Sequence, residues 1–273
     1  MTPETQSLMI FPIVLGSLFV SMAVYAIRGP KQDADQKKKS GQLFLGAGDF
    51  LLHWFMWAVD PITRLSIGLG LTPDFYNYAG LALGIGSGFF IANGQLEDGG
   101  WAIALCGVAD ILDGRIARLT GVASDFGDFI DSTFDRYVEI AACLGFLVLL
   151  ADHPWGPFLA ASAMAGSLVV SYTRARGEAL GILCTGGLMQ RGERMVLSCL
   201  ACLSDAGFSR LFGWPRYTVI LWTLGAIGVT TLITAVHRTV WIGLRLKEKE
   251  RAARLGDASP ASADAGAAAD RAA

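Results

Sequence analysis

Charge is what this sequence has least of. Only 17% of its 273 residues are charged, against about a quarter in an ordinary soluble domain. That shortage excludes a soluble domain of this length. The 53% hydrophobic residues gather in runs of about 20, the length a helix needs to cross a bilayer. Neither sign of charge dominates. A formal net charge of -2 offers no bulk field for nucleic acid, and no such partner is expected. Histidine is scarce too: His53, His153 and His237 are too scattered for a His-based metal centre. Cysteine is present at 106, 143, 184, 199 and 202. Cys199 and Cys202 form a lone CxxC inside an apolar run, with no second pair to complete a site. All five read as small apolar residues, not as disulfides or ligands. Any metal here should be held by carboxylates, which favours Mg2+ or Mn2+ over Zn2+.

What is there is a succession of apolar segments. Residues 8–27 form an uncharged run with no positive region before it, which predicts a retained anchor helix over a cleaved signal peptide. The Lys-rich stretch 29–42 is a polar linker. Residues 43–70 mix Trp54, Phe55 and Trp57 with Asp49, Asp60 and Arg64, which predicts an amphipathic helix lying along the membrane surface. Thr72-Pro73 then opens a span to about Asn93, with a hydroxyl cap and Pro at the first helical position. Further spans are predicted over about 101–120, 124–151, 156–177, 193–210 and 217–241. The fold class is therefore all-α: a polytopic membrane protein of six core transmembrane helices, an N-terminal anchor and an interfacial helix. The expected division is 1–42 for anchor and basic linker, 43–246 for the membrane domain, and 247–273 for a charged, then Ala-rich disordered tail. Gly80, Gly84 and Gly88 recur every fourth residue, which makes one smooth helix face for a neighbour in the chain or for a second copy.

The turns GQLEDGG and ADHPWG lack Lys and Arg, whereas Arg115–Arg118, Arg174–Arg176, Arg191–Arg194 and Arg245–Arg254 fall at the opposite ends of the spans. The positive-inside rule puts those basic ends in the cytoplasm, with Arg210 and Arg216 as exceptions.

The informative segment is DILDGRIARLTGVASDFGDFIDSTFD, Asp110 to Asp135. Asp110 and Asp113 are three apart and share a helix face, with Gly114 and Ala117 beside them. Asp131 and Asp135 are four apart on the next helix and also share a face. Crowded carboxylates repel unless some protonate or cations bind. Oxygen-only ligands suit Mg2+, Mn2+ or Ca2+. Such ions would hold a diphosphate, and a remaining carboxylate would take a proton from an attacking hydroxyl. The bland alternative is a set of interfacial charges paired with Arg115, Arg118 and Arg136. Asp125 points elsewhere. Asp128 shares the face of Asp131 but sits nearer the helix start, and neither is assigned a catalytic role.

The segment resembles the signature of the CDP-alcohol phosphotransferase family, D-xx-DG-xx-AR-x8-G-xxx-D-xxx-D. Asp110, Asp113, Gly114, Ala117, Arg118, Gly127, Asp131 and Asp135 fill every fixed position, and the likeness extends over about 44–245. The resemblance implies an enzyme with two ions of Mg2+ or Mn2+, a CDP-diacylglycerol donor, a polar alcohol acceptor and a homodimeric state. It implies that Asp110, Asp113, Asp131 and Asp135 form the metal site and that Asp135 serves as the base. It implies that Asp110, Gly114, Arg118 and Gly127 lie against the CDP moiety.

Two further stretches, Ser171 to Gly181 and Arg191-Gly192-Glu193-Arg194, are similar to those of the branch that uses inositol phosphate, the bacterial phosphatidylinositol phosphate synthases. Arg174 stands where that branch often has Lys, and Gly192 replaces Pro; both keep the charge pattern. The resemblance makes Arg174, Arg191 and Arg238 the acceptor-phosphate residues, since guanidinium groups grip phosphate through paired donors. The expected reaction is phosphatidyl transfer to inositol phosphate with release of CMP, at the cytoplasmic face of a bacterial inner membrane. Rival acceptors are glycerol 3-phosphate, free inositol and serine. A cation-coupled transporter, whose intramembrane Asp residues would bind ions, is the rival of another class.

Overall fold

The computed structural model describes residues 16–17, 19–27, 48–184 and 186–257. Among them the regular structure is entirely helical. The helices are α1 Gly48–Gly68, α2 Pro73–Ala92, α3 Leu96–Thr120, α4 Asp125–Leu149, α5 Gly156–Ala179, α6 Arg191–Phe212 and α7 Thr218–Asp257. The six long helices expected after an interfacial one are therefore present. By length and composition α2, α6 and the Thr218–Ala252 part of α7 qualify as membrane spans. The 24 or 25 residues of α3, α4 and α5 also exceed the ~20 a bilayer requires, but these helices carry acidic and basic groups that make them less apolar.

Local chemistry sets the helix ends. The Thr72 hydroxyl accepts the N–H of Phe75 at 3.3 Å, with Pro73 opening α2. Helix α3 stops at Gly121, whose φ of 72° is left-handed and cheap only without a Cβ. The Ser124 hydroxyl then accepts the N–H of Gly127 at 3.1 Å to start α4. This tight turn brings the two acid-bearing helices to the same end of the molecule.

The six helices α2 to α7 close into a ring. Helix α2 packs on α3 and α4; α3 packs on α6; α6 packs on α7; α7 packs on α5; and α5 returns to α4. The row of Gly80, Gly84 and Gly88 is spent inside the chain. A Cβ at Gly84 would strike the Val138 side chain, and one at Gly88 would overlap the Ala141 carbonyl. Between the two partners left open by the sequence, the structure thus gives this face to the same chain: Gly84 and Gly88 to α4, and Gly80 to Ala109 of α3. Gly88→Ala is expected to cost about 1–3 kcal/mol through overpacking, read as a lower melting temperature in detergent. Gly86→Ala should leave it unchanged, because its Cβ would meet only the Phe90 ring edge at 4.0 Å.

As a result α3 and α4 lie on α2 but do not pack closely on each other. The ring is plugged at one end by Ile91, Phe146, Leu150, Ala160, Cys202 and Leu224. At that end Asp205, fully buried, accepts the N–H groups of Tyr217 and Val219 at 2.9 and 3.1 Å and so caps α7. The opposite end holds the acids.

Helix α1 lies across α3, with Val59 against Leu112 and Ile116. Arg115 donates to the Met56 carbonyl and, at 2.5 Å, to the Asp60 carboxylate. The helical stretch at 19–27 rests on α1: Trp54 donates to the Ser21 hydroxyl at 3.1 Å, and the Tyr25 ring meets Phe50 and Trp57 with centroids 5.6 Å apart. The remainder of the expected anchor, the basic linker and the Ala-rich segment after Asp257 lie outside the described residues. Helix α7 does not end where its apolar run does. It continues unbroken to Asp257 over 40 residues, about 60 Å and twice the ~30 Å hydrocarbon core.

Candidate active site

Asp110 from α3 and Asp131 and Asp135 from α4 each offer a carboxylate oxygen, and these oxygens all lie within 4.8 Å of one another. Asp113 is buried outside that trio but lines the same cleft, with Asn77 and Gly80 of α2 also in its wall. The cleft exists because α2 holds α3 and α4 apart. The sequence reading, with two acidic faces opposed, is thus realised across a gap bridged by side chains.

The CDP residues expected from the family pattern lie at the open end. Arg118 is exposed and folds back over Gly114, where a Cβ would stand 3.3 Å from its Nη1. Gly127 is in the capped first turn of α4. Asp125 and Asp128 are exposed near that helix start and are not among the three converging carboxylates.

The three arginines expected to hold a phosphate are placed differently from one another. Arg191 opens α6 and reaches into the acids: its Nη1 pairs with Asp110 Oδ1 at 3.0 Å and with Asp135. Arg174 is exposed and pairs with Glu178 at 2.9 Å. Arg238 is buried and donates to the carbonyls of Gly186 at 2.9 Å and Val170 at 3.0 Å, bracing the segment between α5 and α6 against α7. The structure therefore puts all three at the acidic end but brings only Arg191 onto the carboxylates.

One pair was not assigned from the sequence. Glu139 Oε1 accepts from Arg194 Nε at 2.7 Å, both side chains almost wholly buried. The signal was available: Glu139 lies four residues beyond Asp135 on the same face of α4, and Arg194 three beyond Arg191 on α6.

The donor set fits a hard divalent cation. The cleft is lined by four carboxylates (Asp110, Asp113, Asp131, Asp135) and one guanidinium (Arg191). With all of them ionised, four minus one leaves three uncompensated negative charges, an excess that divalent cations would offset. Among the described residues the converging group holds carboxylates and no His or Cys, which matches Mg2+ or Mn2+.

Comparison with known proteins agrees with this chemistry. Residues 71–181 match the family model described as CDP-alcohol phosphatidyltransferase. A phosphatidylinositol phosphate synthase of Streptomyces avermitilis is 34% identical over 217 residues, covering 77% of this chain and 87% of that protein. An archaetidylinositol phosphate synthase of Methanothermobacter thermautotrophicus is 32% identical, covering 69% and 90%. Crystal structures of the Mycobacterium tuberculosis phosphatidylinositol phosphate synthase superpose with a TM-score of 0.58 at 29% identity. One holds manganese and citrate and covers 67% of this chain and 87% of that one; another has CDP-DAG bound and covers 67% and 92%. With synthases as its relatives, the chain is an enzyme, and the transporter reading falls away. It belongs to the CDP-alcohol phosphatidyltransferase family, integral membrane transferases of phosphate-containing groups.

Proposed function

We propose that this protein transfers the phosphatidyl group of CDP-diacylglycerol to a hydroxyl of inositol phosphate, with release of CMP, in phospholipid synthesis. The observation that carries the proposal is the convergence of Asp110, Asp131 and Asp135 within 4.8 Å, with Arg191 on top of them. Asp110, Asp113, Asp131 and Asp135 would hold one or two ions of Mg2+ or Mn2+. When bound, such ions neutralise the diphosphate and the charge that develops as it breaks.

The remaining steps fall to the chain's own groups. Gly114 and Gly127 leave room for the CDP moiety, and Arg118 lies over the first of them at the cleft mouth. The acceptor hydroxyl oxygen bonds to the lipid-linked phosphorus. The bond from that phosphorus to the bridging oxygen breaks, CMP leaves with the electron pair, and Asp135 takes the hydroxyl proton. Holding the reactants in line and stabilising charge supply most of the acceleration in such transfers.

Inositol phosphate is preferred as acceptor because Arg174, Arg191 and Arg238 gather at the acidic end. The S. avermitilis and M. tuberculosis relatives are phosphatidylinositol phosphate synthases. Glycerol 3-phosphate is the rival phosphorylated acceptor; free inositol and serine carry no phosphate for Arg191 to hold. The basic ends of the helices favour a cytoplasmic site in a bacterial inner membrane. A catalytic unit over 43–246, preceded by an anchor and followed by a tail, and a homodimeric assembly complete the proposal.

Purified protein given CDP-diacylglycerol, Mg2+ or Mn2+ and a panel of acceptors is expected to release CMP fastest with inositol phosphate. Chelation should stop the release and added metal restore it. Equal release with free inositol would remove the phosphate requirement, and none with any acceptor would overturn the proposal.

A further inference from the structure

Helices α4 and α6 both start at the acidic end and run in the same direction, yet they do not pack closely on each other. A narrow cleft lies between them, with Ser167 and Ser198 in its wall. Two ion pairs span it. Asp135 meets Arg191, and one turn deeper Glu139 meets Arg194. On ideal helices the carboxylates are offset by about 6 Å and the arginines by about 4.5 Å, so the two rungs are in step.

The deeper rung is expensive for the fold. It is buried among apolar side chains, and neither partner is fully satisfied: Glu139 Oε2 and Arg194 Nη1 have no hydrogen-bond partner. A buried ion pair in such surroundings is often no more stable than apolar residues of like volume. The two arginines also occupy the first turn of α6, where the helix dipole disfavours positive charge. A capping box formed by Gln190 and Glu193 supports that turn from within. Stability alone does not explain the pair.

We propose that Glu139 and Arg194 are a positioning pair. They hold the first turn of α6 at a fixed height on α4, so that Arg191 is presented to Asp110 and Asp135 and remains at the edge of the cleft. The inference rests on the function proposed above for Arg191, but its first readout needs no acceptor. In the wild type Arg191 competes with a cation for Asp110 and Asp135. Releasing the deeper rung lets Arg191 withdraw, and the carboxylates become freer to bind metal.

The deciding variant is Glu139→Gln, which keeps the shape and an oxygen for Arg194 but removes the charge. Glu139→Leu with Arg194→Met removes the rung altogether. In full-length protein in detergent, Mn2+ binding followed by electron paramagnetic resonance is expected to tighten about threefold in Glu139→Gln and about tenfold in the double variant. The KM for the phosphorylated acceptor is expected to rise by about tenfold, with the KM for CDP-diacylglycerol unchanged. Wild-type Mn2+ affinity and acceptor KM in Glu139→Gln would overturn the proposal, whether or not the double variant folds. If the Mn2+ shift appears but no phosphorylated acceptor is used, the positioning pair stands and the acceptor assignment fails.

Discussion

Asp135→Asn is expected to slow CMP release by about a thousandfold while CDP-lipid binding stays measurable. Asn keeps the shape of the side chain but cannot take the hydroxyl proton. It also removes one of the three carboxylates that converge within 4.8 Å and one of the two partners of Arg191. Asp110, Asp113 and Asp131 remain to hold metal, so donor binding should outlast turnover. Single-turnover CMP release alongside equilibrium binding of the CDP-lipid separates the two effects. Undiminished release would show that another group takes the proton.

Arg191→Ala is expected to act in opposite directions on two ligands. Acceptor KM should rise by about a hundredfold, the worth of a charge-assisted contact of roughly 3 kcal/mol. Mn2+ should bind more tightly, because the competing guanidinium on Asp110 and Asp135 is gone. Arg191→Lys should restore part of the acceptor affinity but not the paired geometry. A variant that weakened both ligands equally would point to a general loss of structure and would not support an exchange of partners by Arg191.

The acids were legible in the sequence because their spacing coincides with helix periodicity. Asp110 with Asp113, and Asp131 with Asp135, could only share faces, and a turn at Gly121 could only bring those faces to one end. The gap between the two helices was not legible. It follows from α2 packing Gly80 against α3 and Gly84 and Gly88 against α4, and the sequence left the partner of these three glycines open. The arginines were legible as a set at one end but not as individuals. Nothing in the spacing of Arg174, Arg191 and Arg238 distinguishes a group on the carboxylates from one on the surface or one braced by carbonyls. Glu139 carries no signal of its own because it sits outside the family signature, although it extends the face of Asp131 and Asp135. Asp205 was hidden for another reason: a lone acid in an apolar run has no periodic partner, and its role as a cap needs the backbone of Tyr217 and Val219 beside it.

The length of α7 has a mechanical consequence. Beyond the lipid, Lys249 clasps the Leu180 carbonyl at the end of α5 across 3.2 Å, while Arg238, three turns earlier, grips the segment that leads into α6. One stiff rod thus splints both sides of the connection that delivers Arg191. A bend anywhere along that rod would therefore shift both sides of the connection together.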